Sequence, residues 1–451
     1  MFIKRMVSEG LSHYSYMIGD KEEAIVIDPR RDCEIYSRVA SEKGVTIRYI
    51  FETHRNEDYV IGSTALARLT NAEIFHADAE LDYEYGQAAN DDQKWNFGNL
   101  KLHALSTPGH TPGSMSYLLY DPDNNPWMIF TGDTLFAGDV GRTDLLGKTK
   151  MKQLTKQLYT SIFEKILPLG DGVIVCPAHG AGSVCGFDIT ERIWTTIGLE
   201  RAHNPKLQVD SSEAFIEKEA RELTQPPYFK KMEAMNLTNT PGIMDSVMPP
   251  ILSADKFKRY LNQAMVVDCR SVDSFAAGHI PGALSIWSKG ISSFAGWLLS
   301  YNKSIALVGD DHLFGQIVRK LERIGFDNIS VILSGGMLEW EMAGFPIQQT
   351  SLTYGNQFCN QVEDDSVNLL DIRGDDEING TPYPGAQHIP LTELKNRLEE
   401  LPGKNDSIVV LCGSGNRSMT AASILQAEDW TDISVLAGGL SGIQTSSCSE
   451  N

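Results

Sequence analysis

Two sets of residues in this chain have types and spacings suited to chemistry. The first is spread over four short segments: Thr53-His54-Arg55-Asn56-Glu57-Asp58-Tyr59, Thr107-Pro108-Gly109-His110, Thr131-Gly132-Asp133 and Cys176-Pro177-Ala178-His179. Each places a histidine or an aspartate just after an apolar run, in a loop that contains or borders glycine. Such loops let short side chains converge at one edge of a sheet. Imidazole nitrogen together with carboxylate oxygen suits zinc, iron or manganese. The second set is continuous: Ile408-Val-Val-Leu-Cys412-Gly413-Ser414-Gly415-Asn416-Arg417-Ser418. Here an apolar strand runs into a tight loop and a helix follows. Loop N–H groups and the helix N-terminus would face the cysteine sulfur and stabilise a thiolate, a persulfide anion or bound thiosulfate or sulfite. Arg417 adds a fixed positive charge to the same cup.

The elements that must hold these residues are legible as alternating strands and helices. Residues 24–29 and 172–177 read as buried strands, and 149–167 as an amphipathic helix with Met151, Leu154, Leu158, Ile162 and Ile166 near helical spacing. The Pro-containing stretch 225–250 reads as the exit from a first domain. A pattern then occurs twice. Val-Val-Asp268-Cys-Arg270, Gly278-His-Ile-Pro-Gly-Ala, Ile305–Val308 and Ser334-Gly335-Gly336 are followed by Leu-Leu-Asp371-Ile-Arg373, Pro384-Gly-Ala-Gln-His-Ile-Pro, Ile408–Leu411 and Ala437-Gly438-Gly439. The Asp-x-Arg pairs and the Gly-Gly pairs are each offset by 103 residues, which marks an internal duplication. Counting through the loop places Val308 opposite Cys412 and Leu313 opposite Arg417. The first copy would then lack both sulfur-handling residues, and Asp310 and Asp311 would repel an anion. Cys269 reads as a core residue.

The four-segment series resembles the metallo-β-lactamase superfamily over roughly the first 245 residues. That family carries His-x-His-x-Asp-His in its first loop and binds up to two metals. This chain has His54-x-Asn56-x-Asp58-Tyr59 instead, and a phenol titrating near about 10 is a poor zinc ligand at neutral pH. The remaining donors His54, His110 and Asp133 match the two-histidine, one-carboxylate set of non-haem iron(II) oxygenases, as used by the persulfide dioxygenase branch. Ser15-Tyr16, Ile25-Val-Ile-Asp28-Pro, Gly141-Arg142-Thr143-Asp144 and Gly198-Leu-Glu-Arg201-Ala-His-Asn-Pro205 also resemble that branch. The resemblance implies one iron(II) per chain, with zinc as the alternative. It makes Asn56, Asp58, Tyr59, Arg142 and His179 residues that line the pocket or orient the ligands. Arg142, Tyr59 and Arg201 become candidates for contacting the persulfide or its carrier. His13, His76, His103, His203 and His312 are read as structural.

The Cys412–Arg417 loop resembles the rhodanese loop Cys-x-x-Gly-x-Arg. Phosphatases built on the same fold use a loop one residue longer, so sulfur is favoured over phosphate. The whole resemblance implies an α/β protein: an αββα sandwich over 1–245, then two doubly wound parallel-sheet rhodanese domains over 246–350 (degenerate) and 351–451 (active). Its expected reactants are a low-molecular-weight thiol persulfide, dioxygen, and thiosulfate or sulfite. A zinc thioester hydrolase fused to a sulfurtransferase is the main rival, and a non-enzymatic sulfur carrier is another.

Composition is consistent with this reading. Of 451 residues, 42% are hydrophobic and 22% charged, and the net charge of −20 argues against a nucleic-acid partner. No apolar run is long enough for a membrane span, and the N-terminus lacks the apolar core of a signal peptide. A cytoplasmic protein is expected, with a homo-oligomer left open. Seven widely spaced cysteines without a CxxC pair argue against a disulfide framework and a thiolate zinc site. Cys176 and Cys185 are left as either redox-active or merely buried.

Overall fold

The structure is a computed structural model that describes residues 1–443, apart from 187, 244–247, 364–366 and 379–381. The chain divides into two units, residues 1–246 with 322–325, and the remainder.

The first unit contains two six-stranded sheets. One has the order β1 (Phe2–Ser8), β2 (His13–Asp20), β3 (Glu23–Ile27), β4 (Thr46–Phe51), β5 (Glu73–His76) and β6 (Gln87–Ala88). The other runs β12 (Thr195–Thr196), β11 (Ile174–Pro177), β10 (Pro126–Gly132), β9 (Met115–Tyr120), β8 (Leu100–Ser106) and β7 (Lys94–Phe97). The period-2 alternation of the strands builds two kinds of apolar layer. Ile25, Phe51, Phe75, Trp95, Tyr117 and Phe130 fill the space between the sheets. The intervening Val26, Ile50 and Ile74 lie in a cluster with Tyr36, Val39 and Leu66 of the helices Glu34–Lys43 and Ser63–Thr70. On the second sheet Leu118 and Ile129 pack with Leu158, Ile162 and Phe215. The layers are therefore α, β, β, α.

The helix expected at 149–167 runs over Lys148–Thr160 and passes into a π-helical turn, Ser161–Ile166. The stretch 225–250 is not simply an exit. It holds the helix Phe229–Leu237, whose Asn236 is buried.

The second unit contains two five-stranded, all-parallel sheets. The strands are β13 (Ile251–Leu252), β14 (Ala264–Asp268), β15 (Leu284–Ser285), β16 (Ser304–Val308) and β17 (Ile329–Leu333), then β18 (Ser351–Thr353), β19 (Asn368–Asp371), β20 (Ala386–His388), β21 (Ile408–Leu411) and β22 (Ile433–Leu436). The orders β13-β17-β16-β14-β15 and β18-β22-β21-β19-β20 are the same pattern. The Asp-x-Arg signature makes the same contact in both: Arg270 forks onto Asp268, and Arg373 onto Asp371.

Strand register corrects the loop alignment drawn from counting. Asp268 pairs with Val308, and Asp371 pairs with Leu411. Gly309, not Val308, therefore occupies the position of Cys412, and Phe314, not Leu313, that of Arg417. The two repeats also touch. Ser423 on the helix Asn416–Ala427 accepts a bond from the Ser285 N–H at 3.0 Å, and Gln426 on the same helix accepts from Thr350 and donates to the Gln349 carbonyl. Cys33 is buried, Cys176, Cys185, Cys269 and Cys412 are buried free thiols, and Cys359 is disulfide-bonded.

Among the described residues no helix is long and apolar enough to cross a membrane.

Candidate functional site

The loop after β4 carries His54, and a short relay sets its ring. Asp28, in a left-handed conformation just past β3, accepts the Thr53 N–H and hydroxyl, each at 2.8 Å. Thr53 Oγ1 lies 2.9 Å from His54 Nδ1. Burial pushes the Asp28 carboxyl up to about 6, although the neighbouring His54 and the Thr53 bonds oppose this. The loop can approach β10 only because Gly132 has no side chain. A Cβ there would lie 2.5 Å from Thr53 Oγ1, and its φ of 53° also favours glycine.

His110 comes from the loop between β8 and β9. Its Nδ1 is 2.9 Å from the carbonyl of Arg142. A donor N–H on that nitrogen leaves the Nε2 lone pair bare, the tautomer a metal ligand needs. Asp133 follows β10. Its Oδ2 lies 3.6 Å from His54 Nε2 and 3.5 Å from His110 Nε2. Both Nε2 atoms are buried without a hydrogen-bond partner. With metal–ligand bonds of about 2.1 Å, neighbouring donors stand about 3.0–3.5 Å apart, so this set fits around one ion. Orphaned imidazole nitrogens beside a buried carboxylate would be costly if nothing joined them. A bound metal with a His/Asp ligand cluster accounts for them.

His179 holds the cluster from behind. Its Nδ1 is 2.7 Å from Asp133 Oδ1, and its Nε2 is 3.0 Å from Asp58 Oδ2, a contact poorly aligned for a hydrogen bond. Burial disfavours charge on His179, but Asp133 and Asp58 outweigh it and hold the imidazolium well above its usual range. Burial likewise opposes charge on Asp133, and His179 and His54 outweigh it, holding its carboxyl well below the usual range.

The other sequence-predicted residues fall as follows. Asn56 points its amide at the His54 carbonyl, 3.3 Å away. Tyr59 stacks on His13 at 3.9 Å between ring centroids, and its hydroxyl is buried without a partner. Arg142 makes a bidentate pair with Asp144, both bonds 2.8 Å, and donates to the carbonyls of Val184 and Leu223, so its guanidinium is fully engaged. Arg201 is bound to Asp171 and to the Leu167 carbonyl. Cys176 lies in the core between the sheets. Cys185 instead places its sulfur within 4.8 Å of ligand atoms of Asp58, His179, His110 and Asp133.

Sequence reasoning passed over three contributors. Glu57 is fully buried beside both imidazoles. His13, read as structural, bridges to His179 across the strands and stacks on Tyr59. Asn236 donates to the carbonyls of Asn56 and Tyr59, 2.8 Å each, and accepts the Ile61 N–H at 2.9 Å. A lone asparagine in a linker-like stretch carries no such signal. Glu57 was visible as an acid flanked by candidate ligands.

The second constellation is local. Cys412 follows β21 directly and is fully buried, and its sulfur accepts the Gly415 N–H at 3.1 Å. Gly415 has a φ of 90°, and the helix Asn416–Ala427 starts on the next residue. Gly439 presses against the loop, where a Cβ would lie 2.4 Å from the Cys412 carbonyl oxygen. Arg417 forks onto Glu377, with Nη2 2.6 Å from Oε1. That pairing holds the Glu377 carboxyl below its usual range. In the first repeat Gly309 has no side chain to offer, and a Phe314 ring carbon lies 3.3 Å from where its Cβ would be. The aromatic ring takes the space of the sulfur.

With this geometry in hand, similarity to known proteins decides the family. The mitochondrial persulfide dioxygenase ETHE1 of Homo sapiens is 31% identical over 229 residues, 48% of this chain and 79% of that protein. The chain belongs to the ETHE1 persulfide dioxygenase family of the metallo-β-lactamase superfamily. The superfamily model matches residues 9–179, and the rhodanese-like domain model matches 253–343 and 356–446, so two rhodanese-like domains follow. A crystal structure of a metallo-β-lactamase from Staphylococcus aureus subsp. aureus COL is 33% identical. It covers 74% of this chain and 98% of its own, with a TM-score of 0.66. The probable polyketide biosynthesis zinc-dependent hydrolase PksB of Bacillus subtilis is 28% identical over 46% of this chain and 87% of its own.

Proposed function

We propose that this chain is an iron(II) persulfide dioxygenase coupled to a rhodanese-type sulfur carrier. The observation that carries the first half is the convergence of His54 Nε2 and His110 Nε2, both buried without a hydrogen-bond partner, on Asp133 Oδ2, which His179 Nδ1 holds from the other side at 3.0 Å. Iron(II) held there supplies open positions for dioxygen and the outer sulfur of a thiol persulfide. The persulfide, one dioxygen and one water give the thiol, sulfite and two protons. The chain's own residues keep the ligands aimed. Asp28 and Thr53 fix His54, the Arg142 carbonyl fixes His110, and His179 fixes Asp133.

Cys412 carries the sulfane sulfur. Sulfite attacks the outer sulfur of the Cys412 persulfide, releasing thiosulfate and the Cys412 thiolate. The reverse reaction loads Cys412 from thiosulfate. The Gly415 N–H is placed to bind the negative sulfur in either direction. Thiol carriers of the glutathione or coenzyme A type are the proposed co-products.

Oxygen uptake on glutathione persulfide and coenzyme A persulfide by anaerobically iron-loaded protein tests the first half. One dioxygen consumed per persulfide is expected, and His110→Ala abolishes uptake while leaving thiosulfate:cyanide sulfur transfer intact. Likeness to a zinc-dependent hydrolase favours thioester hydrolysis as the second reading. Zinc in the native protein, no oxygen uptake after iron loading and thioester turnover would establish it.

A further inference from the structure

We infer that Glu57 is a fourth protein ligand of the metal held by His54, His110 and Asp133, an inference that rests on the metal reading proposed above. Glu57 lies between Asn56 and Asp58, at a position the His-x-His-x-Asp-His pattern leaves unassigned. It is completely buried, and neither carboxylate oxygen has a hydrogen-bond partner. A carboxylate taken out of water without a partner is strongly disfavoured, so its isolation needs a cause.

The distances separate two causes. Glu57 Oε2 is 3.5 Å from His110 Nε2 and 3.7 Å from His54 Nε2. An imidazolium–carboxylate pair in the same site closes to 2.7 Å, as His179 and Asp133 do. Glu57 is held off from both rings by nearly 1 Å more than that. Its spacing matches that of Asp133 Oδ2, which is 3.5 Å and 3.6 Å from the same two nitrogens. Glu57, His54 and His110 offer ligand atoms within 4.8 Å of one another, so Glu57 stands toward the imidazole pair as a donor to the ion they hold would. The backbone holds Glu57 there, because Asn236 bonds the carbonyls of Asn56 and Tyr59 on either side of it.

Two carboxylates balance the charge of a divalent ion in a dry site. An ion held by two imidazoles and two carboxylates would still have room for small exogenous ligands. The added hard oxygen shifts the site's preference toward iron or manganese and away from softer metals.

The test is anaerobic iron(II) titration of the metal-free full chain against a competing chelator, with cobalt(II) absorption spectra as a second readout. Glu57→Gln is expected to weaken iron binding by about tenfold or more, since even residues that only support ligands cost that much, and to change the cobalt bands. Glu57→Asp keeps the charge but withdraws it by one methylene, and should change the bands with a smaller loss of affinity. Iron affinity within twofold of wild type and superposable cobalt spectra for Glu57→Gln overturn the inference while leaving the three-residue site standing. Should the Gln variant fail to fold, an unchanged cobalt spectrum in Glu57→Asp overturns it equally. Folded wild-type protein that takes up no iron removes both the site and this inference.

Discussion

At the end of β21 the chain turns through Cys412, whose sulfur accepts the Gly415 N–H, and begins a helix with Arg417 in its first turn. At the end of β16 it turns through Gly309, and Phe314 fills the equivalent space. Everything around the two loops is alike: sheet order, register and the Asp–Arg fork below. Even the closing glycine differs only in how hard it presses. A Cβ at Gly336 would lie 3.4 Å from the Gly309 carbonyl oxygen, against 2.4 Å at Gly439 and Cys412. The fork is thus a property of the fold, and the chemistry is a property of six loop residues. The first copy still has a task in the geometry, since it bonds Ser423 and Gln426 on the helix that forms the floor of the working loop.

The sharpest test of this contrast is Cys412→Ser. Thiosulfate:cyanide transfer should fall by at least about a thousandfold, as expected when a nucleophile is lost. Residual turnover in that variant would mean the first copy is not silent. Next in size is the fork. Burial opposes charge on Asp371, but the Arg373 bonds outweigh it and hold its carboxyl below the usual range. A depressed carboxyl stabilises the fold above its unfolded pKa, and that stability is lost as pH falls through its folded pKa. Asp371→Asn should therefore cost about 1–3 kcal/mol at pH 7 in urea unfolding, and the gap should narrow at pH 3. Asp268→Asn should cost a similar amount at pH 7 if the fork serves both copies alike.

A smaller effect is expected at Glu377, which competes with anions for Arg417. Glu377→Gln should lower the thiosulfate KM about two- to fivefold, the range of a partly exposed ion pair, with kcat within twofold. A higher KM would show instead that Glu377 positions Arg417. The smallest effect is none at all. Gly309→Cys, placed in the Cys412→Ser background, should restore no sulfur transfer, because Phe314 occupies the cup. Recovery by that single change would break the contrast.

Much of this was legible from the sequence. A contiguous strand–loop–helix such as 408–418 states its own geometry, whereas His54, His110 and Asp133, on three separate segments, were singled out through the family resemblance of those segments. The first repeat shows where counting fails. Both flanking signatures are offset by 103, yet counting through the loop sets Val308 against Cys412, an offset of 104. A one-residue slip reverses which side chain faces the pocket, and only the pairing of Asp268 with Val308 settles it. Glu57 and Asn236 were missed for another reason. One is a carboxylate whose role depends on where its loop folds. The other reaches the site across 177 residues of chain, a contact that local pattern cannot foresee.

During synthesis, Asn236 leaves the ribosome long after the loop it latches. The carbonyls of Asn56 and Tyr59 acquire their partner only when Asn236 emerges. At about 5–20 residues per second, the loop bearing His54 waits roughly 10–35 s after its own synthesis. Throughout that interval the nascent chain offers His54 and Glu57 on an unclamped loop. Truncations ending before residue 229 should keep the strands of the sandwich but leave this loop without its latch, so faithful metal loading belongs to the released or nearly complete first unit.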